Sequence, residues 1–242
     1  MPWLVTGGLH VYRTGILMNI VRAKLHSKDP YVGFDAARWP LDLQGWNDNH
    51  PLFASLIQRV RPSCIIEVGT WKGASAIHMA QLLRTKAIAA EVICVDTFLG
   101  WPGAPMPVKH GFPLLYGQFL ANVLKCGLAD IVTPFPQTSD LAALWFESAH
   151  IKAGLVYIDG AHGFGPVYED LVHYWPLVEL GGCLFGDDYS RDDVRRAVNL
   201  FAKACGVSIE VEEEKWLIWK RTDERGISAH EYFERQITER SN

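Results

Sequence analysis

The stretch that decides the fold is Cys64-Ile-Ile-Glu-Val-Gly-Thr-Trp-Lys-Gly-Ala-Ser75. A short apolar run of buried-strand character stops at Glu67, a glycine turn follows, and a helix opens near Gly73. An α/β protein presents backbone N–H groups and one carboxylate to a small ligand in this way, at the carboxyl edge of its sheet.

Outward from that stretch the pattern alternates. Leu52 to Val60 reads as a helix closed by Arg61-Pro62. Strands are expected over 65–68, 91–96, 131–133, 155–159 and 182–187, and helices over 73–84, 114–125, 140–149, 166–180 (disturbed at Pro176) and 192–204. Residues 97–113 read as a loop dense in Pro and Gly. Such alternation implies a parallel sheet with helices on both faces, a doubly wound α/β fold. Val207–Val211 and Trp216–Lys220 lie too close for a crossover helix, so they pair antiparallel. A helix is expected over 9–25, a loop from Asp29 to Pro51, and a terminal helix over 227–240. The expected organisation is an N-terminal cap (1–51), a central domain (52–222) and a C-terminal helix (223–242).

Composition narrows the class. The 242 residues are 49% apolar and 21% charged, enough for a substantial core. The net charge of −4 comes with no basic stripe, so nucleic acid is not an expected partner. Glu212-Glu213-Glu214 reads as a solvated turn. None of the five cysteines stands at CxxC spacing, and Cys64, Cys94 and Cys183 fall in expected core strands. That usage suits a reducing, cytoplasmic setting. Arg13, Arg22 and Lys24 interrupt the apolar N-terminal stretch. No run reaches the about 18 residues that span a bilayer, so no membrane partner is expected.

Four expected strands end at acids: Glu67, Asp96, Asp159, and Asp187 with Asp188. Each alone reads equally as the cap of the next helix. Together they converge on one crevice, since ligands of open α/β sheets bind beyond the strands' carboxyl ends. Asp96 is placed to accept both hydroxyls of a ribose, and Glu67, beside the glycine turn, to hold an ammonium group. A nucleoside carrying an amino-acid tail fits that pair. Asp159, Asp187 and Asp188 make an all-oxygen set that suits Mg²⁺ or Ca²⁺ rather than zinc. Unpaired, three such carboxylates would raise one another's pKa.

Glu67-Val-Gly-Thr-Trp-Lys-Gly-Ala-Ser75 with Ala-Ile-His-Met-Ala80 resembles the first motif of class I S-adenosylmethionine-dependent methyltransferases, nearest the metal-dependent catechol O-methyltransferase type. Asp96-Thr-Phe-Leu-Gly100, Val156-Tyr-Ile-Asp-Gly-Ala-His162 and Gly181-Gly-Cys-Leu-Phe-Gly-Asp-Asp-Tyr189 resemble bacterial relatives that methylate sugars and other natural-product scaffolds. The resemblance covers residues 44–220, roughly. It implies a seven-stranded sheet of order 3-2-1-4-5-7-6 with the last strand antiparallel. It also implies S-adenosyl-L-methionine as cofactor, Mg²⁺ or another hard divalent cation, and a small-molecule acceptor bearing a hydroxyl. By motif position, Gly69, Trp71, Gly73 and Ser75 would wrap the methionine end beside Glu67. Asp96 would take the ribose, with Thr97 alongside, and Ser139 would sit near the adenine. Asp159, Asp187 and Asp188 would match the metal ligands, with Asp159 also bordering the cofactor and the reacting centre. Two departures stand out: the catechol enzymes carry asparagine where Asp188 stands, and a lysine base where this chain has Gly160-Ala161-His162.

His162, with an ordinary pKa near 6.5, suits a general base. It reads equally as a helix cap or as the orienter of a ligand carboxylate. Trp101, Trp39 and Trp46 are lid candidates or plain surface aromatics, while Trp145, Trp216 and Trp219 are expected in the core. A nicotinamide dehydrogenase is disfavoured because Gly69-x-x-x-Gly73 is not G-x-G-x-x-G. A metal-independent methyltransferase and a non-catalytic or hydroxylase-like cofactor binder remain as alternatives. The acceptor (sugar, phenol or polyol) stays open, and the N-terminal helix is a candidate contact for a twin subunit.

Overall fold

The structure, a computed structural model, describes residues 20–46, 48–100 and 108–221. The expected helix over 227–240, Trp101, and residues 9–19 of the first expected helix lie outside the described residues.

In chain order the elements begin with α1 (Ile20–Leu25), α2 (Pro51–Val60), β1 (Cys64–Val68), α3 (Ala74–Thr85) and β2 (Glu91–Asp96). A two-stranded ribbon, β3 (Val108–Lys109) with β4 (Phe112–Pro113), leads into α4 (Leu114–Lys125). Then follow β5 (Val132–Pro136), α5 (Ser139–Ser148), β6 (Ala153–Ile158), α6 (Phe164–Tyr174), β7 (Val178–Gly186), α7 (Asp192–Cys205), β8 (Ile209–Glu212) and β9 (Lys215–Trp219). The main sheet runs β5-β2-β1-β6-β7-β9-β8. Counting only these seven strands along the chain gives 3-2-1-4-5-7-6, with β9 antiparallel to both neighbours. The ribbon is a detail that the Pro/Gly-rich reading of 97–113 lacked.

Strand periodicity splits the core in two. Ile66, Ile93, Val156 and Leu184 face α5, α6 and α7. Ile65, Val92, Leu155 and Phe185 face α2, α3 and α4. Cys64, Cys94 and Cys183 are buried in these layers as small apolar residues. Trp216 and Trp219 are buried as expected, but Trp145 is 55% exposed. The helix expected to reach Leu180 stops at Tyr174. Pro176 lies in a 3-10 turn (Trp175–Leu177), and β7 starts four residues before the expected Gly182. Glu214 does more than face water, because its backbone and side-chain oxygens accept the N–H groups of Tyr189 and Ser190.

Arg22 on α1 is fully buried at the amino edge of the sheet. Its guanidinium donates to Thr133 Oγ1 (2.9 Å), to the carbonyls of Ala129 (2.5 Å) and Val132 (2.7 Å), and to Asp29 (3.2 Å). The Glu91 carboxylate accepts the backbone N–H groups of Val21 and Arg22. The N-terminal segment is thus fastened by charged hydrogen bonds as well as by Val21, Leu25 and Tyr31 packing on the core.

Glu67 is the buried acid of β1. The hydroxyls of Thr70 and Ser75 both donate to it. Burial outweighs these bonds and pushes its pKa up to about 7.

Two outcomes follow. Arg22→Met should lower unfolding free energy in urea by about 3 kcal/mol or more, because carbonyls and Asp29 lose a buried charged partner. For Glu67 the sign is set by a raised native pKa. Its contribution is present below the ordinary carboxylate value and is lost as pH rises through about 7. Glu67→Gln should therefore gain on the wild type between pH 5 and pH 8, by on the order of 3 kcal/mol in urea denaturation.

Candidate functional site

The carboxyl ends of β1, β2, β5, β6 and β7 open into a cavity of about 1080 Å³. Its floor exists because two backbones approach closely. Gly69 has φ +87°, and a Cβ there would stand 2.1 Å from the Asp159 carbonyl oxygen. Only glycine fits. Gly186, just before Asp187, is confined in the same way, 2.3 Å from the Trp216 ring at its would-be Cβ.

Gly69, Trp71 and Ser75 line the cavity, whereas Gly73 and Glu67 do not. Gly73 opens α3 with φ +85° and packs where a Cβ would meet the Phe119 ring at 2.8 Å. Glu67 lies beneath the turn, where the hydroxyls of Thr70 and Ser75, two residues that line the cavity, donate to it. Trp71 takes a left-handed conformation (φ 50°) and donates its N–H to Asp96 Oδ2 at 2.9 Å. Phe98 N–H donates to Asp96 Oδ1 at 2.7 Å. Each Asp96 oxygen thus has one backbone donor and keeps further acceptor capacity. Burial raises its pKa. Thr97 and Ser139 also border the cavity.

A strap before α2 reaches the same opening. Gln44 Oε1 accepts the Trp71 indole N–H, and Asp42 pairs with Lys72 at 2.6 Å. The buried Asn122 of α4 donates to the carbonyls of Asp42 and Lys72, tying strap to turn. Gly45, Trp46 and Asp48 line the cavity from this strap. Trp39 does not: it stacks on Phe34 and fills the space above Gly117.

The acids at the far edge are arranged differently from the expected triad. Asp159, His162 and Asp188 offer ligand atoms within 4.8 Å of one another. Asp188, at φ 61°, pairs with His162 Nε2 at 2.7 Å and with Arg191 at 3.1 Å. The His162 bond, then the Arg191 charge, holds its carboxyl below the usual range. Asp187 borders the cavity but pairs with the buried Lys215 ammonium at 2.8 Å. The cluster brings together His162 with Asp159 and Asp188, and does not include Asp187. Lys215 also donates to the Tyr157 hydroxyl at 2.8 Å, which donates to Asp159 Oδ2 at 3.0 Å. Burial, then the Asp187 charge, raises the Asp159 pKa well above the usual range.

Lys215, Tyr157, Thr70 and Asp170 were missed in the sequence. Asp170 of α6 is buried at the Ser139 end of the cavity, its pKa pushed up to about 6 by burial against a Ser139 hydrogen bond. Strand phase held the one usable signal: Lys215 shares a face with Leu217 and Trp219, and a lysine on an apolar face requires an acid. Two carboxylates and an imidazole are a donor set that a divalent cation accepts. Among the described residues no helix is long and apolar enough to cross a membrane.

The chain is similar to known proteins in sequence and in fold. A family model described as a methyltransferase domain matches residues 66–189, more than half of the chain. A second, described as rhamnosyl O-methyltransferase/CmcI, matches residues 27–99. The mycinamicin III 3''-O-methyltransferase of Micromonospora griseorubida is 24% identical over 183 residues, 66% of this chain and 69% of that one. The 8-demethyl-8-(2,3-dimethoxy-alpha-L-rhamnosyl)-tetracenomycin-C 4'-O-methyltransferase of Streptomyces olivaceus is 27% identical over 180 residues, 66% of this chain and 67% of that one. The O-methyltransferase from Bacillus cereus, solved in complex with SAH, shares the fold with a TM-score of 0.54 at 17% identity, covering 76% of this chain and 84% of that one. The chain belongs to this methyltransferase family and is a class I S-adenosylmethionine-dependent O-methyltransferase.

Proposed function

We propose that the acceptor is a hydroxyl of a sugar carried on a natural product, and that a divalent cation assists its methylation. The family model described as rhamnosyl O-methyltransferase/CmcI and the relatives named for mycinamicin III and a rhamnosyl-tetracenomycin support the acceptor class. The observation that carries the site assignment is one shared cavity. The Gly69–Trp71–Asp96 turn borders one side, and Asp159, His162 and Asp188 border the other.

In this reading the Asp96 oxygens, each already fixed by a backbone N–H, accept the ribose hydroxyls. Backbone groups of Gly69 to Trp71 and the hydroxyls held by Glu67 shape the methionine end. Ser139, with Asp170 behind it, borders the adenine. His162 takes the proton of the acceptor hydroxyl, and Asp188, 2.7 Å from Nε2, stabilises the imidazolium that forms. Asp159 and Asp188 hold the cation, which when bound supplies Lewis acidity and a template for the acceptor oxygens. Trp46 and the strap cover the acceptor side and exclude water. Most of the rate gain is orientation of an oxygen in line with the transferred methyl carbon. A second reading, metal-independent transfer, draws support from Lys215, which already supplies one buried positive charge beside the acids.

Asp96→Ala should weaken S-adenosylmethionine binding about tenfold or more by calorimetry, as charged hydrogen bonds are lost. Unchanged affinity would remove Asp96 from the ribose. In assays with deoxysugar glycosides and, separately, catechol, His162→Ala should cut kcat about 10²–10⁴-fold with cofactor affinity kept. EDTA should abolish turnover and Mg²⁺ restore it. Chelator-resistant turnover favours the second reading, and preference for catechol overturns the acceptor class.

A further inference from the structure

Lys215 has no part in the cation-assisted mechanism above, yet it is a buried cation next to the acids at the cavity. Its side chain is 1% exposed, and Nζ lies 2.8 Å from Asp187 Oδ2 and 2.8 Å from the Tyr157 hydroxyl. The rings of Tyr157 and Phe53 face the ammonium at 5.0 and 5.4 Å. Those rings are themselves fixed: Phe53 meets Tyr157 edge-on at 5.1 Å, and Tyr157 stacks on Phe185 at 4.9 Å. Phase on β9 forces this location, since Lys215, Leu217 and Trp219 point to the layer of α2. The ammonium therefore cannot swing into solvent without breaking core contacts. Through Asp187 it touches one acid directly, and through the Tyr157 hydroxyl it reaches Asp159.

We propose that Lys215 is a built-in counterion that competes with a divalent cation for the acid cluster and so sets how weakly the site holds metal. The inference rests on the reading that Asp159 and Asp188 hold such a cation. Two consequences distinguish it from a plain structural ion pair. First, the acids stay assembled when no metal is bound, because one positive charge is always present. Second, a dication arriving at Asp159 meets an ammonium joined to that carboxylate through the Tyr157 hydroxyl, in a region where water screens little, and the two repel. Lys215 is thus a positioning residue that acts through Asp187 and Tyr157 and touches no substrate.

Loss of a merely structural residue loosens a metal site, whereas loss of a competing charge tightens it. The test is Mn²⁺ binding to the full-length protein, counted by the electron paramagnetic resonance signal of free Mn²⁺. Lys215→Met and Lys215→Gln are the neutral variants, and Lys215→Arg is the charge-keeping control. The glutamine chain keeps a donor for Asp187 and Tyr157, and it is the one read if the methionine chain does not fold. Binding of SAH serves as the check of folding. A tenfold or greater tightening in the neutral variants, with none in the arginine variant, supports the proposal. It does so even where the wild type binds no Mn²⁺, although the metal reading then fails for the natural chain. Equal or weaker binding in the neutral variants overturns the role of Lys215 and leaves the metal reading standing. Absence of Mn²⁺ binding in wild type and variants alike overturns both.

Discussion

The site depends on a contact between two backbones. A Cβ on Gly69 would fall 2.1 Å from the carbonyl oxygen of Asp159. With glycine there, the turn after β1 lies against the end of β6, and Gly69 N–H still reaches the carbonyl of Val95 on β2. Three neighbouring strands then end at one level. Side chains that leave the sheet at that level, Asp96, Asp159 and the pair after β7, have one opening to share. A larger residue at 69 would separate β1 from β6 and disperse them.

Convergence creates an electrostatic problem, and each acid is answered locally. Glu67 has two hydroxyl donors, and Asp96 has two backbone N–H donors. Asp187 has Lys215, and Asp188 has His162 and Arg191. Asp159 receives the Tyr157 hydroxyl and is left with its pKa raised by burial and by Asp187. Charge compensation is therefore uneven across the cavity. The ionised form of Asp159 gains from an added positive charge, which an arriving cation or cationic cofactor would supply.

The fold was legible because its elements obey local rules. Residues 64–68, 91–96 and 153–158 are apolar runs bounded by turns, and the last two strands are too close for a crossover. Legibility failed where tertiary contact overrides local pattern. Pro176 ends a helix and releases residues that carry β7 four positions further back than expected. Trp145 lies on the outer face of α5, although its bulk and apolarity suggested the core. The acids of the site were found by strand position alone, but how they pair was not. Asp187 and Asp188 are adjacent and identical in sequence, yet one goes to Lys215 and the other to His162. Adjacent residues leaving a strand diverge, and the partner of Asp187 comes from a strand 28 positions later.

The two sides of the cavity therefore answer to different constraints. The side at the turn after β1 is built from backbone: Gly69, Trp71 in a left-handed turn, and an acid locked by two N–H groups. Such a surface changes little without loss of the fold. The opposite side includes a strap, whose Gly45, Trp46 and Asp48 line the cavity and which is held through Asn122 rather than by strand pairing. Its contacts can be exchanged without disturbing β1 or β2. A fold shared at 17% identity is compatible with that division, because the turn is bonded into the sheet whereas the strap is held by side chains outside it.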